Sequence, residues 1–297
     1  MSNGVDSNGQ GMPPLAMALW LLKGRSLPDR VQWLVANGFT GTSLLQSVMD
    51  VDGAERIDAA AAIKAGGLSF TYHGNVQRKL TTAGGLDADF IARMIDDVIW
   101  WHENAGGAIS CCSDPIHIPG SDGNPLFAAE LCAELMRLLH AGLAAHGIRV
   151  GIENGFGGGR KFCSLANIAD FKEASQVPGL GMLLDAGHAN IHVRSDGVEG
   201  ETDIDAFVRN LPLDVIEVHF SDNAGRKDEH RQLGQGSLDL KTLLAALKDT
   251  SFSGNLTLEV CIDILSNQYA ADIDDPKQTD PLLVSRDALR AAWSELE

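Results

Sequence analysis

Six residues able to carry acid–base or metal chemistry stand at comparable places in the chain. His73, Asp114, Glu153, Asp185, His219 and Glu259 each close, or closely follow, a short apolar run: residues 68–72, 108–112, 148–152, 180–184, 215–218 and 256–258. Carboxylates gathered in one place repel and raise one another's pKa unless a cation sits among them. Glu153, Asp185, His219 and Glu259 close four consecutive runs. A mixed oxygen and nitrogen set of that kind suits Mn2+, Mg2+, Co2+ or Zn2+. The stretch 217–236, EVHFSDNAGRKDEHRQLGQG, adds a second histidine: turn formers follow His219, then a charged loop carries His230 beside Asp228 and Glu229. A strand that delivers a histidine into a polar loop presents chemistry at the rim of a scaffold.

The elements that would position these residues alternate regularly. Strands are predicted at 15–22, 39–45, 68–72, 108–112, 148–152, 180–184, 215–218 and 256–258. Helices are predicted from Ser26 and Pro28 to Asn37, then at 53–66, 86–104, 125–146, 165–174, 204–210, 238–248 and 281–296. Their apolar residues recur at helical spacing, as in Leu131, Leu135, Leu138, Leu139 and Leu143. The strands are unbroken apolar runs, as expected when both faces are covered. Eight such units in a chain of 297 residues predict an α/β fold, a single (β/α)8 TIM barrel. A doubly wound sheet would want a GxGxxG turn after its first strand, and Lys23-Gly24-Arg25 does not supply one. Residues 1–14 read as a flexible N-terminal segment and 15–297 as the barrel. Strand C-termini line one mouth of such a barrel, so the six residues are predicted to converge there.

Composition narrows the function. Acidic residues outnumber basic ones 40 to 23, for a net charge of −17, and no basic run interrupts that balance. Nucleic acid is therefore not expected as a ligand, because phosphate binding draws on clustered Lys and Arg. The apolar patch 15–22 is too short to span a membrane, and no later stretch approaches that length, so no membrane association is expected. The five cysteines show no CxxC or zinc-knuckle spacing, and most lie in apolar stretches as buried thiols. A reducing cytoplasmic compartment is the expectation. A homo-oligomer is compatible with these features.

Several segments together resemble the xylose isomerase-like TIM barrels, which include sugar (phosphate) isomerases and epimerases and are related to the type IV AP endonucleases. The segments are Ile152-Glu153-Asn154, Leu184-Asp185-Ala186-Gly187-His188, Val218-His219-Phe220-Ser221-Asp222-Asn223, Asp228-Glu229-His230, Leu233-Gly234-Gln235-Gly236 and Leu258-Glu259-Val260. The resemblance implies one divalent metal ion, Mn2+ first and Mg2+, Co2+ or Zn2+ as alternatives, held by Glu153, Asp185, His219 and Glu259. It implies a small carbohydrate substrate, an enediolate, and proton transfer by Glu153 and Glu259 as the catalytic pair. His188 corresponds to a substrate-oxygen contact, and His230 and His73 are further substrate-binding candidates. The endonuclease branch also uses the positions of His73, Asp228 and His230. The function expected is a metal-dependent isomerase or epimerase of a sugar or sugar-like polyol or keto compound. A metal-dependent dehydratase or lyase on a related keto acid shares the intermediate, and an endonuclease-like phosphodiesterase is the remaining alternative.

Other polar residues carry less. Arg226 is a substrate-binding candidate, although its spacing from His219 does not match the arginine of the epimerases. Asp114, before Pro115, reads as a turn residue, and His117 and His192 as loop residues open to substrate. The glycine-rich 155–160 segment with Arg160 could cradle an anion or hinge a lid. Trp20 reads as packing or as an apolar wall for a sugar.

Overall fold

A computed structural model describes residues 11–45, 53–76, 80, 84–157, 161–250, 252–262 and 269–296. Most of the N-terminal segment expected to be flexible, and Arg160 with the two glycines before it, lie outside the described residues. Eight parallel strands close into a barrel: β1 (Leu15–Ala18), β2 (Gly41–Leu45), β3 (Ser69–Gly74), β4 (Ala108–Ser113), β5 (Arg149–Glu153), β6 (Gly181–Asp185), β7 (Asp214–Phe220) and β8 (Asn255–Leu258). Each strand pairs with its neighbours in sequence, and β1 closes the ring by pairing with both β2 and β8. The expected (β/α)8 barrel is therefore the fold.

Around it run α1 (Leu27–Ala36), α2 (Gly53–Ala65), α3 (Ala88–Ala105), α4 (Ala129–Leu143), α5 (Leu165–Ser175), α6 (Ala186–Ile191), α7 (Ile204–Arg209), α8 (Leu240–Asp249) and α9 (Pro276–Ser294). Their first turns are closed by the side chains the sequence places there. Ser26, Asp87, Ser164 and Asp239 each accept a hydrogen bond from a backbone N–H of the first turn. Apolar stripes such as Met94, Val98 and Trp101 of α3, or Leu135, Leu139 and Leu143 of α4, are buried in the shell between helices and strands. A fully buried leucine there contributes about 1.5–3 kcal/mol through water released from its surface.

Inside the barrel one irregularity sets the geometry. Along β7 the register against β6 runs Val215 to Met182 and then Glu217 to Leu183, so Ile216 is an extra residue, a β-bulge. Ile216 packs with Cys112 and Leu183. It fits because β5 and β6 carry glycine beside it. A Cβ at Gly181 would lie 2.5 Å from Ile216 Cγ2, and one at Gly151 would lie 2.9 Å from Ile216 Cδ1. Beyond the bulge, Glu217 and His219 follow the two-residue alternation of a strand, and both are buried.

Three elements depart from expectation. The run 15–22 is not one strand: β1 stops at Ala18, and a 3-10 turn over Leu19–Leu21 brings Trp20 toward the mouth. Pro125–Phe127 is not helical but forms an antiparallel hairpin with His117–Pro119, and α4 starts at Ala129. The last helix begins at Pro276, not Pro281, because Asp275 caps it and Pro276 occupies its first turn.

Candidate functional site

The inward positions of the barrel form two layers near its C-terminal mouth. The lower layer is polar: the Glu217 carboxylate, fully buried, accepts hydrogen bonds from Thr71 Oγ1 at 2.5 Å, Thr257 Oγ1 at 3.1 Å and Ser110 Oγ at 3.5 Å. Two residues further along the same strands come His73, His219 and Glu259. Glu153 and Asp185 close β5 and β6. The alternation of side chains along a strand thus stacks the candidate ligands on a hydroxyl-lined anion.

Asp185 is the best-defined member. Its Oδ1 caps α6 by accepting from the His188 backbone N–H at 2.6 Å, and its own N–H donates to Asn154 Oδ1 at 2.7 Å. Its Oδ2 is buried with no hydrogen-bond partner. His219 lies directly beside Asp185 in register. His219 Nδ1 is 3.2 Å from Glu259 Oε2, and Nε2 is 3.4 Å from Glu217 Oε1. One ligand atom each from Asp185, His219 and Glu259 lies within 4.8 Å of the others. Glu153 joins through Asp185 and His188, which form a second group within the same limit. A carboxylate with an orphaned oxygen, grouped with an imidazole and a second carboxylate, is a donor set that fits a divalent cation.

The remaining predicted residues surround this centre. His188 Nδ1 lies 2.8 Å from the Asn154 carbonyl oxygen and 3.3 Å from Glu153 Oε1, and its Nε2 is 3.6 Å from Asp228 Oδ2. His230 has φ 42°, a left-handed conformation uncommon outside glycine, and such residues cluster at functional sites. It is held there by Glu259 O at 2.9 Å from Nδ1, Asp228 Oδ2 at 2.9 Å from Nε2, and the Cys261 N–H donating to its carbonyl. His73 Nε2 is 2.8 Å from Asp114 Oδ1 and 3.5 Å from Glu153 Oε2, so Asp114 is not merely a turn residue. His73, Asp114 and Glu153 form a third ligand-like group. Trp20 stacks on His73 with ring centroids 5.9 Å apart and tilts against His219 at 6.0 Å.

Arg226 lies exposed on the loop and is not among the residues lining the cavity at the mouth. His192 is buried, with its Nε2 2.6 Å from Glu201 Oε2. Glu217 was hidden in the sequence within an apolar strand. Its signal was a lone acidic residue two positions before His219, hence on the same strand face.

Electrostatics separates the acids. Burial pushes Glu153 up to about 7, with Asp114 adding to the rise and His188 opposing it. Burial acts the same way on Glu259, but His219 and His230 outweigh it and hold Glu259 at about 2. Asp185 is raised, chiefly by burial. His219 and His188 are raised well above the ordinary histidine value because neighbouring carboxylates, Glu259 and Asp185 foremost, overcome burial. Metal-free, the site is a cluster of imidazolium–carboxylate pairs.

The sequence profile of the family described as xylose isomerase-like TIM barrel matches residues 31–280. The chain belongs to that family. An uncharacterized protein of Methanocaldococcus jannaschii is 28% identical over 116 residues, covering 38% of this chain and 37% of the relative. The aligned part is thus little more than a third of that protein's length. Among solved structures, a xylose isomerase domain protein from Alicyclobacillus acidocaldarius superposes with TM-score 0.66 at 18% identity, covering 95% of this chain and 99% of that one. A D-psicose 3-epimerase from Clostridium cellulolyticum H10, determined with D-tagatose, gives TM-score 0.70 at 12% identity over 94% and 99%. At these identities the likeness is one of fold. Among the described residues no helix is long and apolar enough to cross a membrane.

Proposed function

We propose that this chain is a divalent-metal-dependent isomerase or epimerase of a sugar or sugar-like polyol or keto compound. The observation that carries the reading is that Asp185, with an orphaned carboxylate oxygen, shares one ligand-like group with Glu153 and His188 and another with His219 and Glu259 at one barrel mouth. Glu153, Asp185, His219 and Glu259 would hold the ion, which when bound supplies Lewis-acid polarisation of a carbonyl and its neighbouring hydroxyl. A cavity of about 420 Å3 opens onto Glu153 and His188, a size suited to a small polyol. One glutamate takes the proton from the carbon beside the carbonyl and the other returns it. His188, fixed through Asn154 and Asp228, orients a substrate oxygen, and Trp20 covers the apolar side. The five cysteines are buried and form no disulfide with one another, which fits a reducing cytoplasm. That a fold neighbour is a D-psicose 3-epimerase supports this reading.

A second reading has its own observation. His73, Asp114 and Glu153 form a further ligand-like group, and Asp228 bridges His188 and His230. Three ions there would suit phosphodiester hydrolysis, although a net charge of −17 opposes docking to DNA. Metal analysis of the purified protein separates the two: one ion per chain supports the epimerase, and three would overturn it. The metal-loaded enzyme should also wash deuterium from D2O into a ketose at the carbon beside its carbonyl. A Glu259→Gln variant that still exchanged at the wild-type rate would sink the proton-transfer assignment.

A further inference from the structure

We propose that the substrate of this site carries an anionic group, a carboxylate or a phosphate, and that the ammonium of Lys161 receives it. The inference deepens the reading above and rests on it. Lys161 lines the same cavity as Glu153, Asp114 and His188. Among those lining residues it is the sole Lys or Arg, hence the sole obligate cation. Its Nζ sits 5.0 Å from the centre of the Phe156 ring, and that ring lies 4.7 Å, centre to centre, from His188. One aromatic side chain therefore separates the ammonium from His188, whose Nδ1 is 3.3 Å from Glu153 Oε1. A small substrate can touch both.

The local backbone is built to hold Lys161 in this pose. Gly155 N–H donates to Phe162 O at 2.6 Å, and Cys163 N–H donates to Lys161 O at 2.9 Å. Gly157 has φ +98°, and a Cβ there would meet Lys161 Nζ at 2.9 Å. The glycine leaves the space into which the lysine folds over Phe156. Lys161 is half-buried, and among the described residues it makes no ion pair with a carboxylate, although Asp114 and Glu153 line the same cavity. A surface lysine in so acidic a protein has carboxylates to choose from, and this one faces the cavity instead. Burial, and then the Lys161 charge, holds the His117 imidazole below its ordinary value. Of the two, Lys161 rather than His117 thus carries the positive charge.

A neutral polyol offers this ammonium hydroxyl oxygens but no opposite charge. An anionic substrate entering a cavity that already holds Asp114 and Glu153 requires such a counter-charge. A charge-assisted hydrogen bond of this kind changes affinity about tenfold or more when it is removed. The test is calorimetric titration of the Mn2+-loaded protein with three probes: D-fructose, D-gluconate and D-fructose 6-phosphate. At least one anion should bind about tenfold more tightly than fructose, and which one does so separates carboxylate from phosphate. Lys161→Gln should abolish that preference, and Lys161→Arg should retain most of it. Equal binding of all three probes, failure of both anions to bind, or an unchanged preference in Lys161→Gln would overturn the inference. The D2O exchange assay is read separately. Exchange without a Lys161-dependent anion preference defeats this inference alone, whereas the preference without exchange defeats the proposed reaction alone.

Discussion

Replacing Glu217 with Gln probes the link between the barrel interior and the candidate metal centre. The carboxylate is fully buried, accepts from Thr71, Thr257 and Ser110, and stands 3.4 Å from His219 Nε2. Burial would raise its pKa, but His219 and the Thr71 hydroxyl outweigh burial and hold it below the ordinary glutamate value, so it is an anion at neutral pH. An anion on the Nε2 side keeps the proton there and leaves Nδ1, the atom facing Glu259, free to bind a cation. Outer partners of metal-bound histidines are worth about 10–100-fold in affinity, or about 1.4–2.7 kcal/mol. Glu217→Gln keeps shape and hydroxyl contacts while removing the charge, so Mn2+ affinity should fall by about that factor. The expected change in melting temperature of the metal-free protein is small by comparison. Titration calorimetry of metal-free wild type and variant at one pH reads the first, and thermal melts read the second. Glu217→Ala would behave differently, since it strands the Thr257 and Ser110 hydroxyls at about 1–3 kcal/mol per unpaired group, while Thr71 keeps Ser43 Oγ at 2.8 Å. Wild-type Mn2+ affinity in Glu217→Gln would refute the positioning role.

Because His219 is raised well above the ordinary histidine value, it is protonated in the metal-free protein at neutral pH, and a ligand histidine must be neutral. Mn2+ binding at about pH 7 should therefore release at least one proton and tighten as pH rises; calorimetry in buffers of different ionisation enthalpy that found no release would contradict this ligand assignment. His230 is held up at about 10: burial opposes the shift, and Glu259 and Asp228 override it. A raised folded-state pKa contributes stability that is complete below the unfolded value of about 6.5 and is lost as pH rises through the folded value. The metal-free protein should accordingly lose stability between those two values, and a melting temperature that rose across this window would count against the His230–Glu259–Asp228 geometry. Gly181→Ala drives a Cβ to 2.5 Å from Ile216 Cγ2. Overpacking of this kind costs about 1–3 kcal/mol, and Ile216→Val should recover part of it in the double variant. Additive losses in denaturant melts would show that the two residues do not compete for space.

Much of this protein was legible in its residue order. Short apolar runs separated by amphipathic stretches specify alternating strands and helices, and Ser26 and Asp87 mark helix starts because their side chains satisfy first-turn N–H groups. Once the barrel is inferred, His73, Glu153, Asp185, His219 and Glu259 must share a mouth, since each stands at a strand's C-terminal end. Local pattern could not place the 117–127 hairpin, because Pro125 followed by apolar residues also reads as a helix start. Other features depend on through-space neighbours. The His73–Asp114 contact joins residues from two strands. The burial of His192 on Glu201, the exposure of Arg226 and the return of Lys161 over Phe156 depend on how loops fold back, which no periodicity encodes. Glu217 is the clearest case. In sequence it is one acid in an apolar strand; in the fold, the bulge at Ile216 and the glycines at 151 and 181 turn it inward among three hydroxyls from other strands. The sequence by itself determined which side chains reach the mouth, because strand ends and side-chain alternation are local properties. Only the tertiary structure decided which of them share protons and charge, because Coulomb and hydrogen-bond energies depend on distances that barrel closure sets.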